Sequence, residues 1–233
     1  MSESNAEEFI TGKVVLIDKE IEWTSFDVVN KLRIALRNEL GIKKIKVGHA
    51  GTLDPLATGL VIICTGKATK GIESFMGLDK EYIAGITLGA TTPSFDLETE
   101  VNQSYPYENI TGKELESVLP LFTGEFEQAP PIFSAKQIDG KRAYTMARQG
   151  EDFTLKKNRV VIHELDVLTF NPPFIELRIL CGKGTYIRSL ANDLGAALHS
   201  GAYLSSLRRT KIGGFHVNNA SKIGNFIKNL KPL

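Results

Sequence analysis

The sequence predicts an α+β fold, a mixed sheet with helices packed on it. Three observations carry that prediction. Strand-like apolar runs and helical periodicities are interspersed without a regular βαβ rhythm. Arg159 to Phe170 and Phe174 to Cys181 read as two strands parted by Asn171-Pro172-Pro173, and in the second Ile175, Leu177, Ile179 and Cys181 recur with period two. Finally, 233 residues with 42% hydrophobic and 24% charged content suffice for one well-buried domain.

The elements follow in order. Val14-Val15-Leu16-Ile17 reads as a short buried strand. Thr24 and Ser25 offer N-caps to a helix whose face is Val28, Val29, Leu32, Ala35 and Leu36, and Gly41 ends it. A glycine-rich stretch from Gly48 to Gly59 leads into the apolar strand Leu60 to Cys64. Glu81 to Gly89 reads as another strand. Thr111-Gly112-Lys113-Glu114 is a capping box, with Leu115, Val118 and Leu119 behind it. Ile187, Leu190, Ala191, Leu194 and Leu198 mark an amphipathic helix. Residues 1–8 are expected to be a disordered acidic tail and residues 9–233 a single domain.

Composition excludes several functions. No apolar run approaches the roughly 18 residues a membrane span needs, and Met1 to Glu8 carries no secretory h-region. The expected location is cytoplasmic. Two cysteines, Cys64 and Cys181, cannot build a disulfide framework, and four scattered histidines form no zinc pattern, so buried thiols and no metal are expected. The net charge is +1, but Glu3, Glu7 and Glu8 sit in the tail; without them 28 basic residues face 24 acidic ones, a balance of +4. Basic residues also cluster, as Lys43, Lys44 and Lys46, as Lys156, Lys157 and Arg159, and as Arg208, Arg209 and Lys211. Such clusters suit phosphates.

The strongest local signal is Gly48-His49-Ala50-Gly51-Thr52-Leu53-Asp54-Pro55-Leu56-Ala57-Thr58-Gly59. Three glycines allow positive φ and close approach of another molecule. Asp54 precedes a proline and is biased out of the α region, so its carboxylate belongs on a turn. Nucleotide-binding readings fail: Gly66-Lys67 is followed by Ala68 where a phosphate loop needs Ser or Thr, and Gly182-x-Gly184 has Ile187 where a third glycine would stand.

The stretch resembles the GHxGTLDPxATG signature of TruB-type pseudouridine synthases. Asp79-Lys80-Glu81-Tyr82 resembles the DKxY element of that family. Gln128 to Gly150 resembles a further stretch, Cys181 to Arg188 its CxKGTYIR segment, and Leu204 to Thr210 its LxxLRRT segment. These segments occur in family order over about residues 9 to 217.

The resemblance implies a pseudouridine synthase fold with a mostly antiparallel sheet and an RNA-binding cleft. It implies isomerisation of uridine 55 in the tRNA T-loop, without cofactor or metal, by an enzyme expected to be a monomer whose partner is the T-arm stem-loop. Asp54 would be the essential catalytic residue. Tyr82 would stack on the flipped base near C5, and Arg188 would pair with Asp54. Tyr186 and Leu207 would wall the pocket, and His49 would fill the gap the base leaves. Lys19 and Lys183 would lie near the site or the phosphates, and Arg209 would join the RNA-binding set. A non-catalytic tRNA-folding chaperone on the same scaffold is the alternative, and a guide-RNA-dependent relative a weaker one.

Two segments depart from the pattern. Where the family reads DKPxGxTS, this chain reads Asp18-Lys19-Glu20-Ile21-Glu22-Trp23-Thr24-Ser25, with glutamates for the proline and glycine. The TDTxDxxG element is altered to Thr91-Thr92-Pro93-Ser94-Phe95-Asp96-Leu97-Glu98, and no role is carried onto it. The C-terminal PUA domain of many members is expected to be absent.

Overall fold

A computed structural model describes residues 2–134, 137–138, 141–142, 145–146, 149 and 155–230. The remaining positions of the Gln128 to Gly150 resemblance fall outside these. The chain divides into two compact units, residues 1–82 with 207–233, and residues 83–206. The crossings fall inside two strands, where no change of composition or linker marks them.

The first unit begins with α1, Ser2–Gly12, where a disordered tail was expected over residues 1–8. The helix is held by Phe9, which is 1% exposed and meets the Phe226 ring edge-on at 6.4 Å.

Strand β1, Val14–Lys19, pairs antiparallel with β3, Ala57–Thr65. Between them lie α2, Ser25–Leu40, and the short β2, Val47–His49, which also pairs with β3. The α2 cap is the predicted one: Thr24 accepts from Asp27 N while Asp27 reaches back, and Gly41 closes the helix at φ 66°. On the far side of β3, residues 207–209 of β12, Ala202–Ile212, pair in parallel with residues 57–59. The core here gathers Ala50, Leu60, Ile62, Cys64, Ile212 and Val217. Short α3, Ile72–Gly77, precedes β4, Lys80–Leu88. The unit ends with β13, Phe215–His216, and α6, Ile223–Lys228.

The second unit contains β5, Ala90–Thr91, and β6, Gln103–Ser104, which pair with each other. Next come α4, Gly112–Val118, with its predicted capping box, and β7, Gly124–Gln128. The β8 and β9 pair, Gln137–Ile138 and Lys141–Arg142, follows. Strands β10, Asn158–Asn171, and β11, Phe174–Cys181, form the predicted antiparallel hairpin. The strand order is β4-β11-β10-β7. Amphipathic α5, Ile187–Ala197, buries Ile187, Leu190, Ala191 and Leu194. Cys64 and Cys181 are buried free thiols, as expected. No described helix is long and apolar enough to cross a membrane.

Candidate active site and its supporting residues

Asp54 lies on the turn between β2 and β3, half-buried, with its carbonyl accepting from Ala57 N at 3.1 Å. That turn geometry is what Asp-Pro predicts. Each neighbour of Asp54 in the turn is held by a side chain from elsewhere in the first unit. Ser25 Oγ accepts from Leu53 N at 2.8 Å and donates to Leu53 O at 3.3 Å. Lys19 Nζ donates to Pro55 O at 3.2 Å, and Glu22 N donates to the same carbonyl at 2.8 Å. Arg209 donates from its terminal nitrogens to Gly51 O at 3.2 Å and Thr52 O at 3.5 Å.

Two residues expected to face RNA are therefore inside the protein. Lys19 is 1% exposed, and its Nζ also donates to Glu20 O at 3.0 Å and Trp23 O at 2.6 Å. Burial pushes its ammonium down to about 8, against the pull of the Asp54 charge and with the push of Arg209. Lys19 is thus enclosed beside the Asp54 turn. Arg209 is likewise 1% exposed. Period-two spacing carried the signal in both cases. Val15, Ile17 and Lys19 share the buried side of β1, and Leu207 and Arg209 that of β12. The intervening Arg208 takes the other side and makes a bidentate pair with Asp18, both bonds 3.0 Å.

His49 ends β2 and is partly buried. Burial holds its pKa below the ordinary value, the Arg209 charge adds to this, and the Gly51 backbone opposes both. The imidazole is thus kept neutral. Tyr82, third in β4, is 8% exposed and Leu207 9%. The residue before Tyr82 is anchored: Glu81 accepts from Thr210 Oγ1 at 2.7 Å and Lys211 Nζ at 2.9 Å.

In the second unit, Arg188 is the second residue of α5 and 5% exposed. A cation at a helix start opposes the dipole, so its compensation must come from elsewhere. Its Nε lies 3.5 Å from Asp96 Oδ2, and it donates to Ser94 O at 3.3 Å and Phe133 O at 3.0 Å. The altered segment to which no role was assigned is thus the seat of Arg188. It is built for that: Thr92 Oγ1 and Ser94 Oγ donate to Asp96 O at 2.7 and 3.2 Å, and Asp96 Oδ1 accepts from Glu98 N at 3.0 Å. Thr92, Ser94 and Asp96 are all buried.

Tyr186, the N-cap of α5, is clamped by the buried Gln128. Its N–H donates to Gln128 Oε1 at 2.8 Å and its carbonyl accepts from Gln128 Nε2 at 3.0 Å. Lys183 is exposed on the preceding loop, a position fit for phosphate contact. Among the described residues no three His, Cys, Asp or Glu side chains form a metal-binding group.

A sequence model described as TruB family pseudouridylate synthase (N terminal domain) matches residues 37–187. The tRNA pseudouridine synthase B of Phocaeicola vulgatus is 55% identical over 218 residues, covering 94% of this chain and 93% of that protein. That of Flavobacterium johnsoniae is 50% identical over 226 residues, covering 97% and 99%. Among solved structures, a chain in the crystal structure of a Cbf5-Nop10-Gar1 complex matches with TM-score 0.73 and 26% identity over 96% of this chain. The match covers 56% of that chain, so this protein spans little more than half of it. With the Gly48 to Gly59 turn in place and relatives matching end to end, the chain belongs to the TruB family of pseudouridylate synthases.

Proposed function

We propose that this chain converts uridine 55 in the T-loop of tRNA to pseudouridine. The substrate class follows from relatives named tRNA pseudouridine synthase B at 50% and 55% identity over nearly the whole chain. The observation that carries the reading is Asp54 on a turn whose flanking backbone is fastened at Gly51, Thr52, Leu53 and Pro55. A carboxylate held this firmly suits a reaction whose barrier depends on placement.

The reaction is an isomerisation, so no oxidant or co-reactant enters. The N1–C1′ bond breaks, the base turns, a C5–C1′ bond forms, and a proton leaves C5 as N1 gains one. The target base must leave the loop's stack before C5 can be reached. Asp54 acts at the reacting centre, with Tyr82 and Arg188 completing the catalytic set. His49, neutral and adaptable as a donor or acceptor, enters the RNA loop. Tyr186 and Leu207 line the base, and Lys183 meets phosphate. The protein acts as a monomer in the cytoplasm on the T-arm, without cofactor.

The test is tritium release from a T-stem-loop RNA labelled at uridine C5, with native protein and Asp54→Asn side by side. Native protein releases tritium, and Asp54→Asn releases none while binding the RNA within a few-fold of native. Release by the variant would remove Asp54 from the chemistry. Binding without release by both proteins would leave the chaperone reading in its place.

A further inference from the structure

We infer that Arg209 is a positioning residue for catalysis, fixing the Asp54 turn onto the sheet through backbone carbonyls. The inference rests on the reading of Asp54 above and extends it. Arg209 Nε donates to Leu60 O in β3 at 2.7 Å, while the two terminal nitrogens reach Thr52 O and Gly51 O. One planar fork thereby joins the strand after the catalytic turn to the two residues that lead into Asp54. Only a guanidinium has five donors in a rigid plane for this; a lysine ammonium is a point charge on a flexible stem.

The surroundings are shaped around this side chain. Gly59, at φ 107°, faces the Arg209 backbone so closely that a Cβ there would lie 2.3 Å from Arg209 O. Residue 59 is also the register partner of Arg209 in the parallel pairing. The absence of a side chain at 59 lets β12 draw in until the guanidinium reaches under the turn. Gly51, at φ 96°, would place a Cβ 3.8 Å from the terminal nitrogen. Gly59 of the signature therefore serves this arginine, while the glycine at 51 serves the positive φ of the turn. Burying a guanidinium is strongly unfavourable unless it is hydrogen-bonded, and two carbonyls of the turn and one of β3 accept from it. The charge also bears on Lys19 and His49, which flank the same turn.

The experiment uses the full chain as Arg209→Lys, Arg209→Met and Asp54→Asn. Single-turnover tritium release is measured at saturating protein, with filter binding of the T-stem-loop and thermal melting by circular dichroism. A mispositioned turn lowers the saturating rate constant, whereas a smaller folded fraction leaves it unchanged and only raises the protein concentration needed to reach it. The expected result is a saturating rate constant reduced about 100-fold in both Arg209 variants, a cooperative melt in at least Arg209→Lys, and RNA affinity within about 3-fold of native. Weakened affinity with an intact saturating rate would overturn the inference and return Arg209 to the RNA-contact set. An intact saturating rate constant with native affinity, or loss of cooperative melting in both variants, would overturn it by reducing Arg209 to a folding residue. Turnover by Asp54→Asn would remove the reading on which the inference rests, whatever the Arg209 variants do.

Discussion

Lys19 shows how a single buried charge is tolerated and what it does to stability. Three carbonyls, two from its own turn and one from Pro55, replace the water its ammonium loses on folding. They do so incompletely, and burial lowers its pKa from 10.5 to about 8. Below about pH 8 the group is protonated in both folded and unfolded states, so the penalty is constant there. Between about 8 and 10.5 the unfolded chain binds more protons than the folded one, and stability rises with pH. The difference in unfolding free energy between native protein and Lys19→Met should therefore be flat from pH 6 to 7.5 and shift in favour of native protein from 8 to 10.5. Urea titrations across that range check it; a flat line above pH 8 would show that Lys19 is not held at a depressed pKa. Its burial was readable in principle from the Val15, Ile17, Lys19 alternation, but a lysine in a nucleic-acid-binding family invites a phosphate, and the residue type outweighed the period.

At the scale of elements, the β1–α2 connection explains a departure from the family pattern. Two glutamates stand where the pattern has proline and glycine. The turn is kept: Glu22 adopts φ 68°, the left-handed region that favours glycine, and its N–H still reaches Pro55 O. Glu20 is paired with Lys222 at 3.2 Å, both exposed. Such a pair contributes little, and the conformation is maintained by Lys19 instead. A non-glycine residue in this region carries about 1–2 kcal/mol of strain, part of which glycine would return as lost entropy. Glu22→Gly should raise the unfolding free energy by about 0.5–1 kcal/mol with an unchanged denaturant slope. A destabilised variant would show that the Glu22 side chain contributes more than its backbone strain takes away. The second altered element, Thr92 to Glu98, is a similar case. The residues that changed are on its path, while Asp96 and the hydroxyls that hold it remain to seat Arg188.

For the whole molecule, RNA affinity depends on how the exposed cations are distributed and little on net charge. Lys43, Lys44, Lys46, Lys156, Lys157 and Lys183 are exposed, whereas Lys19 and Arg209 are enclosed and Arg208 is taken by Asp18. Each phosphate neutralised releases condensed counterions, so affinity falls with salt in proportion to the contacts made. Lys183→Met should reduce the slope of log K against log salt by about 0.7–0.9, measured by filter binding of the T-stem-loop from 50 to about 300 mM salt. An unchanged slope would place Lys183 away from the phosphates. The division into two units, by contrast, left no trace in composition, because the chain passes between them within β4 and β12 rather than through a linker.

The sequence by itself determined strands β1, β3, β4, β10 and β11, helices α2, α4 and α5, the caps of α2 and α4, the buried thiols and the turn at Asp54. All are local: a proline restricts Asp54, glycines permit the turn, Thr24 and Thr111 cap the helices three residues ahead, and periodicity marks the apolar faces. Family membership was legible for the same reason, since its signature is a run of neighbouring residues. What only the tertiary structure decided is which charges are inside and what they hold. Lys19 and Arg209 meet their carbonyl acceptors across separations of up to 158 residues, and Arg188 reaches Ser94 across 94. A cation's partner at that distance depends on strand register and on the approach that Gly59 permits, and neither is encoded in the residues beside it.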